Sequence, residues 1–176
     1  MGGVLLPGAA LAQLTWTPRS SPVETPGART GSAVAWDPLE RRALLFGGTG
    51  PLGPRDDLWW WDPLTSAWHA EKHDPVEPWP AGRAFAGMAF DEQRQVFVLF
   101  GGQGATGRLD DLWIFDPADR SWSNPAPVPR PSARSGMVMV WSAARASVLL
   151  HGGDDGSGGL ADLWAWDGSA FGALTP

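Results

Sequence analysis

The apolar positions of this chain fall into two recurring patterns. In the first, a continuous apolar run ends on a glycine pair: "ALLFGG" (Ala43–Gly48), "FVLFGG" (Phe97–Gly102) and "VLLHGG" (Val148–Gly153). A short unbroken run of this kind, closed by glycine, predicts a strand covered on both faces. The second pattern begins ten positions after the first glycine of each pair with Asp-Leu-Trp: "DLWWWD", "DLWIFD" and "DLWAWD". Alternation along a strand puts Trp59 and Trp61 on one face and Leu58 and Trp60 on the other. Before each glycine run lies a segment that ends near an aromatic (Trp36, Phe90 or Trp141). The chain then turns through a polar tip, as in "DPLE" (Asp37–Glu40) and "DEQR" (Asp91–Arg94). A fourth strand carries Trp68 or Trp122, six residues after Asp62 or Asp116. In the last unit the shorter "DGSAF" puts Phe171 in that place.

These patterns are three copies of one unit, aligned without gaps over residues 29–62, 83–116 and 134–167. Arg29, Arg83 and Arg134 each stand 18 positions before the glycine pair. Each unit reads as four strands, a to d, and short strands with one glycine mark and one aromatic mark per unit predict the blades of a β-propeller. The blades span residues 29–82, 83–133 and 134–176, preceded by an N-terminal segment, residues 1–28. Trp59 matches Trp113 and Trp164, and Trp61 matches Phe115 and Trp166, whereas Trp60 corresponds to Ile114 and Ala165. Tryptophans repeated in every unit predict packing between blades rather than an exposed aromatic platform.

Composition narrows the function classes. Gly at 23 and Pro at 17 of 176 residues fit many tight turns. A net charge of −6 without a basic stripe argues against nucleic acid as a partner. The absence of cysteine excludes disulfides, thiolate metal sites and cysteine nucleophiles. No apolar run reaches the length of roughly 18 residues that spans a bilayer. The N-terminus, "MGGVLLPGAALAQ", has the apolar stretch and "ALA" of a secretory leader but lacks its basic start. That residual likeness tips the expected compartment slightly toward the outside of the cell. The competing expectation is that "QLTW" (Gln13–Trp16) is strand d of an earlier blade, since Trp16 precedes Arg29 by 13 residues, close to the spacing in later units.

With "FGG" before a variable loop, then "DLW-x-[WF]-D-P" and a tryptophan six residues on, the chain resembles the Kelch repeat. The resemblance covers Arg29 to Phe171, with Trp61, Phe115 or Trp166 where the family commonly has tyrosine. It implies an all-β, Kelch-type β-propeller with four-stranded antiparallel blades around a channel and strand a innermost. It also implies a binding face built from the b–c loops and d–a linkers. Such propellers close with about six blades. Three blades plus a remnant strand therefore predict an incomplete ring, completed by further blades or by a homodimer. Galactose oxidase resembles this class, but its copper chemistry needs tyrosine and cysteine, and this chain has neither.

The expected function is a non-catalytic module that binds a protein or peptide, with no cofactor. The b–c loops, Thr49–Asp56, Gln103–Asp110 and Asp154–Ala161, are equal in length and unlike in sequence, as a variable surface on a fixed scaffold would be. Arg29, Arg83 and Arg134 have two readings: hydrogen bonds that hold blades together, through carbonyls or Asp57, Asp111 and Asp162, or a ring of donors for an acidic ligand. Arg55 and Arg108, in two of the loops, extend that candidate ring. The alternative function is an extracellular carbohydrate-binding or carbohydrate-active propeller that needs missing blades, for which Trp79, without a repeat partner, is the stacking candidate. Asp154 and Asp155 in "GGDDGSGG" form a weak calcium candidate. His69 and His73 lie in a non-helical linker, where their spacing has no metal-binding meaning. His151 replaces Phe46 and Phe100 and is expected to fill core.

Overall fold

The computed structural model describes residues 24–175, so the expectations about the leader and "QLTW" lie outside the described residues. Within that range there are three antiparallel blade sheets and one two-stranded hairpin. Blade 1 contains β1 (Ala33–Asp37), β2 (Arg42–Phe46), a small loop hairpin of β3 (Thr49–Gly50) and β4 (Gly53–Pro54), then β5 (Leu58–Asp62) and β6 (Ala67–Ala70). Blade 2 contains β7 (Arg83–Ala84), β8 (Gly87–Asp91), β9 (Val96–Gly104), β10 (Arg108–Asp116) and β11 (Ser121–Ser123). Blade 3 contains β12 (Val138–Ser142), β13 (Ser147–His151), β14 (Leu163–Trp166) and β15 (Phe171–Leu174). Blades 1 and 3 run in the order β1-β2-β5-β6 and β12-β13-β14-β15. In blade 2, strand a is split into β7 and β8, both paired to β9, so the sheet has five strands rather than four.

The register repeats as the sequence predicts. Trp61 pairs with Trp68, Phe115 with Trp122 and Trp166 with Phe171, which confirms Phe171 in the tryptophan place. Two cores result, one between each pair of adjacent blades. Leu58 and Trp60 of blade 1 pack with Phe97, Phe115 and Trp122 of blade 2. Leu112 and Phe100 of blade 2 pack with Val148, Trp166 and Phe171 of blade 3. Trp60 is 6% exposed. It meets Phe97 at 5.6 Å and Phe115 at 6.0 Å, and Arg42 sits 3.9 Å over its ring. The triple tryptophan is thus one strand with opposite walls, Trp60 facing blade 2 and Trp59 and Trp61 facing away from it.

The middle blade has neighbours on both sides, and Phe97, Val98, Leu99 and Phe100 are all fully buried. His151 departs from its expected core place and is exposed. Its wall of blade 3 meets no further blade among the described residues. The inner strands β1, β8 and β12 line a groove of about 320 Å³ between Trp36, Phe90 and Trp141, the wall of the expected channel.

The glycine pairs adopt positive φ in every blade, 64° and 93° at Gly47-Gly48, 61° and 103° at Gly101-Gly102, and 69° and 95° at Gly152-Gly153. Backbone crowding adds a second demand for glycine. A Cβ on Gly47 would lie 2.5 Å from the Arg83 carbonyl oxygen of blade 2, and one on Gly101 would lie 2.7 Å from that of Arg134 in blade 3. At Gly152 the nearest atom is the Leu160 oxygen of its own blade at 3.1 Å. Gly101→Ala is therefore expected to cost roughly 3 kcal/mol, strain plus overpacking, and Gly152→Ala about 1 kcal/mol, strain alone. Urea unfolding at low protein concentration, followed by tryptophan fluorescence, checks this; equal losses would show that the blade contact is not felt.

Candidate functional site

Each repeat opens on an arginine, and the fold buries it. Arg83 and Arg134 are 1% exposed. A buried guanidinium needs both a counter-charge and acceptors for its N–H groups. The aspartate 28 residues ahead supplies the charge. Arg83 donates from Nη1 and Nη2 to the two carboxylate oxygens of Asp111 at 2.5 and 2.8 Å. Arg29 holds Asp57 in the same way, and Arg134 holds Asp162. Each Nη1 also donates to the carbonyl of the first glycine in the pair: Gly47, Gly101 or Gly152. Each Nε reaches a carbonyl two residues back, at Gly27, Ala81 or Ser132. The indole N–H groups of Trp59, Trp113 and Trp164 donate to the same aspartates at 2.6–2.8 Å. Asp-Leu-Trp recurs because its first and third members belong to this network.

The backbone of the same arginine ties on the preceding blade. Gly48 N–H donates to the Arg83 carbonyl at 2.8 Å, and Arg83 N–H to the Arg55 carbonyl at 3.0 Å. Between blades 2 and 3, Gly102 donates to Arg134 and Arg134 to Leu109. One residue thus closes its own blade through its side chain and joins it to the one before through its main chain.

The model for the KLHDC2/KLHL20/DRC7 Kelch-repeats domain matches residues 9–171. This chain belongs to the Kelch-repeat family. Among curated proteins, a "Rab9 effector protein with kelch motifs" from Bos taurus is 32% identical over 122 residues, covering 68% of this chain and 32% of that protein. The chain spans about a third of the length of this relative.

In these Kelch joints the arginines do not form the ring of free donors that was one of their two readings. All five N–H groups of Arg134 are engaged, with Ser132, Gly152 and Asp162. The carboxylates are set accordingly. Burial pushes Asp57 and Asp111 up, but hydrogen bonds from Arg29 and Trp59, and from Arg83 and Trp113, outweigh it and leave both below the ordinary aspartate value. The Arg134 bond, with help from Trp164, lowers Asp162.

The other predicted site residues are scattered over the loop face. Arg55 is half-buried beside Gly50 and Gly27, and its field helps lower Asp57. Arg108 is spent on Asp154, at 2.5 Å, which ties the b–c loops of blades 2 and 3 together. Asp154 also accepts from Gly156 N–H, and Asp155 accepts from the amide and hydroxyl of Ser157, which lowers its pKa. Trp79 is not a free stacking surface. Its indole donates to the Asp56 carbonyl at 2.7 Å. One face stacks on His73 at 4.5 Å, and Trp122 meets it edge-on at 6.2 Å. It does have a positional partner, Arg130, which binds Asp110 at 2.9 Å. The signal was a proline three residues before each joint arginine, Pro26, Pro80 and Pro131, which sets Trp79 and Arg130 in the same place.

Sequence reasoning also missed Phe85. It lies two residues after Arg83, where the other repeats have Gly31 and Gly136, and all three have positive φ, 57°, 66° and 72°. Phe85 N–H donates to the Gly31 carbonyl and the Phe85 carbonyl accepts from Gly136 N–H, so the three positions link the blades at the channel mouth. The ring lies over Gly31 and remains 48% exposed.

Arg83→Lys is expected to lose roughly 2 kcal/mol of unfolding free energy, because an ammonium cannot reproduce the forked contact. The loss stays near the low end for a buried pair because Asp111 is 30% exposed. Since the folded pKa values of Asp57, Asp111 and Asp162 are lowered, their contribution is complete above the unfolded value and is lost as pH falls through the folded ones. Stability is therefore expected to be flat near neutrality and to fall below about pH 4, with a shallower fall in Asp111→Asn. Urea midpoints across pH measure both effects.

Proposed function

We propose that this chain is a non-catalytic protein-interaction module whose contact surface is the loop face around the channel mouth. Phe85 carries the reading. A side chain in the left-handed region costs about 1–2 kcal/mol relative to glycine, and the two equivalent positions show that glycine fits. A strained, half-exposed aromatic at such a position serves recognition rather than folding. Leu52, at the tip of the blade 1 loop at the same end of the blades, is fully exposed as well. Apolar anchors among polar, dissimilar loops suit a peptide or a protein loop, where a few aromatic contacts carry most of the affinity. The relative named as a Rab9 effector supports a protein partner of this kind. The joint carboxylates and guanidiniums are consumed in structural pairs, which supports a role without catalysis. The carbohydrate reading is weakened, because one face of Trp79 already stacks on His73 and its indole N–H is taken by the Asp56 carbonyl.

The test is a selection of displayed peptides on the purified chain, followed by binding to variants. Selected peptides are expected to bind Phe85→Gly at least about tenfold more weakly, while its urea midpoint is unchanged or higher. Peptides that bind the variant equally well, or capture of glycans alone on an array, would overturn the proposal.

A further inference from the structure

We propose that the outer walls of blades 1 and 3 are two halves of one more joint, and that a second copy of this chain, docked head to tail at both ends, closes six blades into a ring.

The first observation is burial. Met88 and Phe90, which face the preceding blade, are 6% and 5% exposed, whereas their equivalents Val34 and Trp36 in blade 1 are 54% and 48% exposed. Ala33 and Ala35, which face the following blade, are 4% and 8% exposed, whereas their equivalents Val138 and Val140 in blade 3 are 65% and 54% exposed. Met139 and Trp141, the equivalents at the joint of blades 2 and 3, are half-buried, so exposure of these positions is greatest at the two ends. Two apolar walls left open in this way mark an association surface.

The second observation is polar. Each described joint uses a donor and an acceptor of the leading blade, Gly48 N–H and Arg55 C=O or Gly102 N–H and Leu109 C=O. By register the same pair in blade 3 is Gly153 N–H and Leu160 C=O, and neither has a backbone partner among the described residues. At the other end, Arg29 stands where Arg83 and Arg134 stand, and its own N–H and C=O also lack a backbone partner among the described residues. The acceptor of one end is matched to the donor of the other. The space beside Gly152 is open where Gly47 and Gly101 each meet the carbonyl of the next arginine, so the Arg29 carbonyl of a second copy has a place to sit.

The third observation is size, and it points to this chain's own blade 1 as the occupant. Between blades 2 and 3, Gly87 faces Met139 so closely that a Cβ would lie 2.6 Å from the sulfur. At the ends, Val138 replaces the glycine and Val34 replaces the methionine. A larger residue on one wall comes with a smaller one on the other, as close packing requires. Edge-on aromatic pairs also run across the described joints, Phe46 with Trp122 and Phe100 with Phe171, both at 5.5 Å. In the proposed joint that row becomes His151 with Trp68. A head-to-tail contact used twice by two copies closes under two-fold symmetry.

Sedimentation of the 176-residue chain decides the matter. A concentration-dependent species of twice the 18.8 kDa chain mass is expected. Val140→Asp, at a residue exposed in the single copy, is expected to keep its circular dichroism spectrum and weaken association at least about tenfold. His151→Phe is expected to tighten it about threefold by restoring the aromatic pair. Phe85→Gly leaves it unchanged, which separates this joint from the loop face. A chain that stays at 18.8 kDa at its highest soluble concentration would overturn the proposal and assign the open walls to Kelch repeats from elsewhere. An open series of larger species, or a dimer indifferent to Val140→Asp, would overturn it equally.

Discussion

Arg83 has its guanidinium buried against Asp111 and Gly101 of its own blade, while its backbone completes Gly48 and Arg55 of the blade before. A charge in that position is tolerable only while both carboxylate oxygens and the glycine carbonyl stay in place. Three separate stretches of chain are thereby held to one geometry: the start of strand a, the end of strand b and the start of strand c. Gly47 and Gly101 have positive φ and no room for a side chain, because the next arginine's carbonyl comes so close. The tryptophan after Asp-Leu must be an indole because its N–H takes part in the same carboxylate network. Hydrophobic burial then supplies most of the driving force, but the polar joint decides which walls meet and in what register.

A scaffold fixed this tightly at the base of each b–c loop leaves the loop tips free to differ. Arg55, Arg108 and Asp154 illustrate this, since each occupies a loop of identical length and makes a contact that its equivalents do not. Phe85 illustrates the opposite case, where the backbone is the same in every blade and one side chain departs from what that backbone prefers. The other left-handed side chains, Arg41, Ser66, Gln95, Arg120 and Ala146, lie in the turns between strands. Phe85 instead stands beside joints that are fully satisfied, as expected of a binding face on a rigid support.

Most of the blade architecture was legible because its marks repeat. A residue that appears once per unit at constant spacing must serve something each unit shares, and Trp59, Trp113 and Trp164 belong to structural roles on that ground alone. The same repetition favours the structural reading of the arginines, but their pairing with an aspartate 28 residues away is a fact of tertiary folding. His151 was misplaced for a related reason. Equivalence to Phe46 and Phe100 fixes its wall, but whether that wall is dry depends on a neighbouring blade. Trp79 seemed unique because its counterpart is an arginine, and only the contacts to Asp56 and Asp110 reveal the shared place.

The sequence by itself determined the unit, its strand order, its alternating walls and its glycine turns, since these follow from local period and from steric limits on φ. Tertiary structure decided which of the marked residues are spent on the joints and which remain available. Paired charges, stacked rings and backbone donors belong to contacts between distant segments, and local sequence carries no term for them. Among the described residues of a single copy, the two end walls are uncovered although equivalent in pattern to buried ones, because burial is a property of what stands opposite a residue and not of the residue itself.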